Sequence, residues 1–272
     1  MKGKLYVVGT PIGNLGDMSP RAVETLQQVD FIAAEDTRVT VKLLNHFGIK
    51  KEMLSYYEHN KNLKGNLILE RMLKGESCAV VSDAGMPAIS DPGEDLVRIA
   101  HENGIEVESV PGPSALITAI SISGFPCGRF CFEGFLSMNK INRRTHLEEL
   151  KTEKRTMVFY EAPHKLPATL NDMLKYFGNR EIVFVREITK IHETVFKTTL
   201  KDAIDYYEEN APKGEFVLLV AGAKEEIKTY TLEDAIKIAE ELIKEGKSTS
   251  AAAKEAAEIT GIKKGDIYKS LI

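Results

Sequence analysis

The sequence predicts an α/β protein with two α/β domains, a parallel-sheet N-terminal one and a mixed-sheet second one, followed by a small helical appendix. Three observations predict it. Short apolar runs alternate with helix-period segments through the first half. A Gly/Pro-rich break, Gly124-Phe125-Pro126-Cys127-Gly128, interrupts that alternation. From about residue 231 the composition turns to Lys, Glu and Ala, which favour helix.

In the first domain, residues 1–123, strands are expected at Leu5–Val8, Phe31–Ala34, Ala79–Val81 and Ile105–Val110. Ser19-Pro20 reads as an N-cap followed by proline at the first helical position, opening a helix that carries Ala22, Val23 and Leu26. Further helices are expected at Thr40–Phe47, Leu63–Leu73, Glu94–Asn103 and Ser114–Ser123. In the second domain, 124–224, strands are expected at Phe130–Phe135, Thr156–Tyr160, Glu181–Arg186, Glu193–Thr198 and Glu215–Val220. Its helices are expected at Ile141–Leu150, Pro163–Tyr176 and Leu200–Asn210. The two strands flanking Ile191 have no helix between them, which predicts an antiparallel pair and so a mixed sheet. Residues 225–272 form the helical appendix, of two or three helices.

The whole-chain quantities narrow the function. A length of 272 residues suits two domains, and 43% hydrophobic with 28% charged residues is ordinary globular composition. There is no apolar stretch long enough to span a membrane and no signal-peptide layout at Met1–Val8, so a cytoplasmic, non-membrane protein is expected. Three cysteines, Cys78, Cys127 and Cys131, offer neither a disulfide framework nor metal-ligand spacing; reduced side chains and no metal are expected. A net charge of −4 argues against a uniformly basic nucleic-acid binder. The charge is segregated, however: residues 137–155 carry six basic and three acidic side chains, and residues 225–245 three basic and seven acidic. One face suited to an anionic partner is the natural reading.

Three loops carry the chemical signal. Gly9–Gly16, Ser82–Gly93 and Val110–Ala115 are rich in Gly and Pro, and each follows an expected strand. In an open parallel sheet, loops at the carboxyl ends of strands form the ligand crevice, so these three are expected to converge. Familiar fingerprints fail. Glycines at 9, 13 and 16 do not make G-x-G-x-x-G, and Gly246-Lys247-Ser248 has Glu241 where a phosphate-binding loop needs glycine. No G-x-S-x-G elbow or H-E-x-x-H pair occurs.

Six strings do match one pattern in order and spacing: Gly9–Leu15, Ala34-Glu35-Asp36-Thr37-Arg38, Ser82–Gly93, Val110–Ala115, Phe159–Lys165 and Arg186-Glu187-Ile188-Thr189-Lys190. With them the chain resembles, over nearly its whole length, the ribosomal RNA small subunit methyltransferase I family of the tetrapyrrole methylase superfamily. Small departures are Met86, where threonine is usual, and Ser137, where proline is common. The resemblance implies a homodimer that uses S-adenosylmethionine to methylate the ribose 2′-hydroxyl of a cytidine in the decoding region of 16S rRNA, with the rRNA or the small ribosomal subunit as partner. It places the cofactor between the two α/β domains, against Pro11, Asp83, Ala84, Gly85, Ile89, Ser114, Ala115 and Tyr160. It also likens the appendix to a helix-turn-helix-like RNA-contacting tail, with a dimer-stabilising helical cap as the alternative role.

Transfer to a ribose hydroxyl calls for a proton acceptor. Glu161, Lys190, Glu35 and Asp36 are the candidates, with Glu193 beside them, and a structural ion pair is the alternative role for each. Arg38, Arg143, Arg144 and Arg186 are the expected RNA contacts. Two rival functions remain open on the sequence: methylation of a tetrapyrrole on the same scaffold, and a non-catalytic RNA-binding assembly factor.

Overall fold

The computed structural model describes residues 1–224 and 230–272. Met1–Ala223 form one compact unit and Lys224–Ile272 a second. The first five residues of the expected appendix, 225–229, lie outside the described residues.

The first unit holds two five-stranded sheets. Strands β1 (Lys4–Val8), β2 (Phe31–Ala34), β3 (Glu52–Ser55), β4 (Cys78–Val81) and β5 (Glu106–Val110) lie in the order β3-β2-β4-β1-β5, and every pairing is parallel. β2 and β4 are buried along their whole length, as strands covered on both faces must be. One face packs on α1 (Pro20–Gln28) and α2 (Thr37–His46), through Ala22, Leu26 and Leu44. The other packs on α3 (Lys61–Leu73) and α4 (Glu94–Glu102), through Ile68, Met72, Leu96 and Ala100. Full burial of each such leucine, isoleucine or methionine is worth roughly 1.5–3 kcal/mol.

Local chemistry sets the helix starts. Ser19 Oγ accepts the Ala22 N–H at 3.1 Å, and Pro20 opens α1. α2 begins three residues earlier than its apolar spacing suggests, because the Asp36 carboxylate accepts the Arg38 N–H at 2.8 Å and caps the helix there. β3 was not expected: it is a four-residue strand at the sheet edge with no buried residue, so periodicity gave it no signature.

α5 (Ala115–Ile122) follows β5 in the chain, yet its apolar residues Leu116, Ala119 and Ile120 pack on the second sheet. That sheet consists of β6 (Phe130–Phe135), β7 (Thr156–Glu161), β8 (Glu181–Arg186), β9 (Thr194–Thr199) and β10 (Phe216–Val220), ordered β6-β7-β10-β8-β9. β6 and β7 are parallel and the other pairs antiparallel, including the β8–β9 pair, so the sheet is mixed as expected. Its other face is covered by α6 (Lys140–Glu149), α7 (Leu166–Phe177) and α8 (Leu200–Glu209), through Leu147, Leu166, Leu170, Met173, Leu200 and Ala203.

Among the described residues the second unit contains three helices, α9 (Leu232–Lys244), α10 (Thr249–Thr260) and α11 (Lys264–Leu271), around a core of Ala235, Ala239, Ala252, Ala253, Ala256 and Ile267. A Thr231–Asp234 capping box starts α9, and Gly261 in the left-handed conformation stops α10.

Candidate active site

Strand order brings the three Gly/Pro loops together. β1 lies between β4 and β5, so the turns that leave their carboxyl ends are neighbours although some 70–100 residues separate the first from the other two in the chain. Main-chain bonds stitch them: Thr10 N donates to Gly85 O at 2.9 Å, Gly85 N returns to Thr10 O at 3.1 Å, and Gly9 N donates to Val110 O at 3.0 Å. Thr10, 1% exposed, adds its hydroxyl to Ser82 O at 3.2 Å. A methyl group on Gly9 would stand 2.7 Å from the Gly112 backbone, so the first and third loops approach as closely as two glycines permit.

Against these loops the second sheet presents the ends of β7, β8 and β10, and between them lies a cavity of about 510 Å³. Ala84, Gly85, Ile89, Ser114, Ala115 and Tyr160, all expected at a cofactor, line it. Pro11 and Asp83 are not among the lining residues. Ile12 takes the wall position beside Pro11, and Asp83 turns its carboxylate to the Asp36 N–H at 3.1 Å. Tyr160 packs edge-on against Phe132 and Phe135 at ring-centroid distances of 5.0 and 5.5 Å. Its phenol oxygen accepts the Leu116 N–H at 3.1 Å. Ile89, 59% exposed, is an apolar side chain held open in this wall.

The acid–base candidates separate sharply. Glu161 is 4% exposed, with one carboxylate oxygen accepting the Ala162 N–H at 2.9 Å and the other the Thr169 hydroxyl. Arg143 continues that network, donating to Thr169 Oγ1 at 2.9 Å and to Asp172 at 2.6 Å. Lys190 Nζ lies 3.0 Å from Glu187 and 2.8 Å from Glu215. Burial opposes its charge, but hydrogen bonds to those carboxylates outweigh burial and raise its pKa, which makes it a fixed ammonium rather than a proton acceptor. Asp36 is paired with Arg38 at 2.7 Å and held at about 2, chiefly by that side-chain bond. Glu35 is half-buried and accepts the Asp83 N–H at 3.2 Å; burial raises its pKa, and the neighbouring Asp83 and Asp36 add to the rise.

Asp91 was not singled out in the sequence. It lines the cavity, and burial, reinforced by the nearby charges of Glu35 and Asp83, pushes it up to about 6. Its only advance signal was its place inside the second loop. Phe135 and His164 also line the cavity, and nothing in their local spacing marked them.

The expected RNA contacts divide likewise. Arg144 is exposed on α6. Arg38 is exposed but committed to Asp36. Arg143 is only 14% exposed and is bound into the Glu161 network. Arg186 shares the β8 face of Ile182 and Phe184, opposite Val183 and Val185, and its Nε is buried without a hydrogen-bond partner among the described residues. Among the described residues, no group of three or more His, Cys, Asp or Glu side chains is placed to hold a metal ion, and no helix is long and apolar enough to cross a membrane.

Comparison with known proteins agrees with this geometry. Residues 4–204 match the family model for tetrapyrrole (corrin/porphyrin) methylases. The ribosomal RNA small subunit methyltransferase I of Synechocystis sp. is 47% identical over 269 residues, covering 98% of this chain and 96% of that one. The protein of the same name from Thermotoga maritima is 50% identical over 220 residues, which are 81% of this chain and 99% of that one. Among solved structures, the methyltransferase CobJ aligns with a TM-score of 0.61 at 21% identity, covering 81% of this chain and 95% of that one. A uroporphyrin-III C-methyl transferase from Thermus thermophilus, complexed with S-adenyl homocysteine, aligns at 0.55 and 17% identity, covering 80% and 97%. The solved structures share the fold alone, whereas the Synechocystis relative matches over nearly the whole of both chains, so this chain belongs to the tetrapyrrole methylases and, within them, to the ribosomal RNA small subunit methyltransferase I family.

Proposed function

We propose that the protein is an S-adenosylmethionine-dependent rRNA methyltransferase that methylates the ribose 2′-hydroxyl of a cytidine in the decoding region of 16S rRNA, acting as a cytoplasmic homodimer. The observation that carries the reading is the cavity itself, where three stitched loops face Tyr160 in a chain nearly half identical to proteins named for rRNA methylation.

The lining residues fit such a donor. A volume of about 510 Å³ is in the range of small-molecule sites, and the wall combines backbone polar groups with the apolar surfaces of Ile12, Ile89 and Ala115. Bound there, the donor supplies an electrophilic methyl group; everything else falls to the protein and the RNA. The main-chain groups of Ala84 and Ser114 would hold polar edges, and Ile89 would cover an apolar face. Positioning of this kind supplies as much as roughly 7–11 kcal/mol of a barrier. Asp91 takes the hydroxyl proton on its carboxylate, because a group that titrates near 6 is largely ionised at neutral pH yet still basic. Glu161 and Lys190, bonded on the protein side, shape the site rather than move protons. Arg144 and Lys140 of α6 supply phosphate contacts, and the helical unit after residue 230 adds a second RNA-facing element.

The test is incubation of the protein with undermethylated small subunits and methyl-labelled donor, followed by RNase digestion and mass spectrometry. Label on a cytidine ribose of 16S rRNA is the expected result, and label on a base or on no RNA would sink the reading. The tetrapyrrole alternative has the fold in its favour, but no feature of the site favours it.

A further inference from the structure

The segment between β8 and β9 is built more rigidly than a surface turn requires. Glu187 and Thr189 both have positive φ, 53° and 64°, and a β-branched residue in that region is a true outlier. Such a conformation persists only where its surroundings over-determine it. Here they do. Glu187 N donates to Glu215 O at 3.0 Å, and Glu215 N returns to Glu187 Oε1 at 2.9 Å. Lys190 Nζ bridges the carboxylates of Glu187 and Glu215. Thr189 N donates to Glu193 Oε2 at 2.6 Å.

What this frame presents is the Thr189 hydroxyl, which accepts the Asn14 N–H at 3.1 Å from 175 residues away. The same segment closes over Gly13. A Cβ there would stand 2.6 Å from Lys190 Cγ, 2.8 Å from Thr189 Oγ1 and 3.1 Å from Ile188 O. Gly13 and Asn14 directly follow Ile12, which lines the cavity as Ile188 does. The first loop is therefore held from two sides: by the second loop at Thr10 and by the second sheet at Asn14.

We infer that Thr189 is a positioning residue, a clasp by which the β8–β9 segment fixes the first loop and sets Ile12 at the donor site. The consequence for the donor rests on the function proposed above; the clasp itself does not. Lys190 and Glu187 serve the same end by holding Thr189 in its unusual conformation.

The experiment is amide hydrogen exchange on the full-length, ligand-free protein, with three variants. Thr189→Val keeps the shape and loses the acceptor; Thr189→Gly loses the acceptor while relaxing the backbone; Thr189→Ser keeps it. Exchange at Asn14 is expected to rise about fivefold in the Val and Gly variants, the effect of one ordinary hydrogen bond, and to stay near the parent rate in the Ser variant. Calorimetry with S-adenosylmethionine is expected to show a similar loss of affinity in Val and Gly and rescue by Ser, with kcat less affected than KM. Unchanged Asn14 exchange in both Val and Gly overturns the clasp. Faster exchange with undiminished donor affinity overturns its positioning role. Absence of donor binding by the parent protein defeats the methyltransferase reading, and the exchange data still decide the clasp.

Discussion

The phenol oxygen of Tyr160, at the end of β7, accepts the backbone N–H of Leu116 in the first turn of α5 at 3.1 Å. That N–H belongs to a helix start, where donors lack partners within the helix, so the bond both satisfies a half-buried group and ties the second sheet to the third loop. Tyr160→Phe keeps the ring against Phe132 and Phe135 and removes only the acceptor. It is expected to cost about 1 kcal/mol in urea unfolding and to weaken donor binding about five- to tenfold by calorimetry.

Asp91 predicts a pH dependence with a definite sign. Its folded-state pKa, about 6, lies above the ordinary value of 3.8, so between these limits the folded protein binds a proton that the unfolded chain has released. Stability contributed by this group is therefore greatest below pH 4 and is lost as pH rises through 6. Asp91→Asn is expected to flatten that slope and to stabilise the protein at pH 7.5 by about 1 kcal/mol, a figure discounted for partial solvent exposure. Methyl transfer should fall below pH 6 in the parent protein and drop at least about tenfold in the variant at neutral pH. A variant of normal activity removes Asp91 as the proton acceptor.

Arg143 and Arg144 are adjacent in sequence and opposite in role. Arg143→Ala leaves Thr169 and Asp172 without their donor and is expected to destabilise the fold by about 1–3 kcal/mol. Arg144→Ala, on the exposed side of α6, should leave stability within about 0.5 kcal/mol. It should reduce the slope of log affinity against log salt for rRNA by about one. Thermal melts and filter binding at several salt concentrations separate the two.

The helical unit has its own core of alanines and Ile267. The Thermotoga maritima relative aligns over 220 residues, close to the length of the α/β unit, with 99% of its own chain covered. A chain ended at Ala223 is therefore expected to fold, to melt as one transition and to bind S-adenosylmethionine with the parent's affinity, while its affinity for rRNA falls. Loss of donor binding in that protein would contradict the assignment of the cavity to the first unit alone.

Strands with continuous apolar runs, such as β4 and β10, and helices with a strong first-turn signal, such as α1 at Ser19-Pro20, were legible because burial and capping are written into adjacent residues. The edge strand β3 was not, since a half-exposed four-residue strand needs neither a period nor a run. The loops of the cavity were legible for the same local reason: Gly and Pro announce unusual backbone. Which side chains turn inward from those loops is decided by contacts between strands far apart in sequence. That is why Asp91 carries no mark of its own in the sequence, and why Arg143 reads as a surface cation until Asp172 and Thr169 are seen beside it.

The Thr10–Gly85 bridge and the Gly9–Gly112 approach are made of main-chain atoms. A cradle drawn in backbone keeps its shape when the side chains around it are exchanged. A scaffold of this sort can change what it recognises, from a flat macrocycle to a ribose on a folded nucleic acid, while the cavity between its loops stays where the strand order put it.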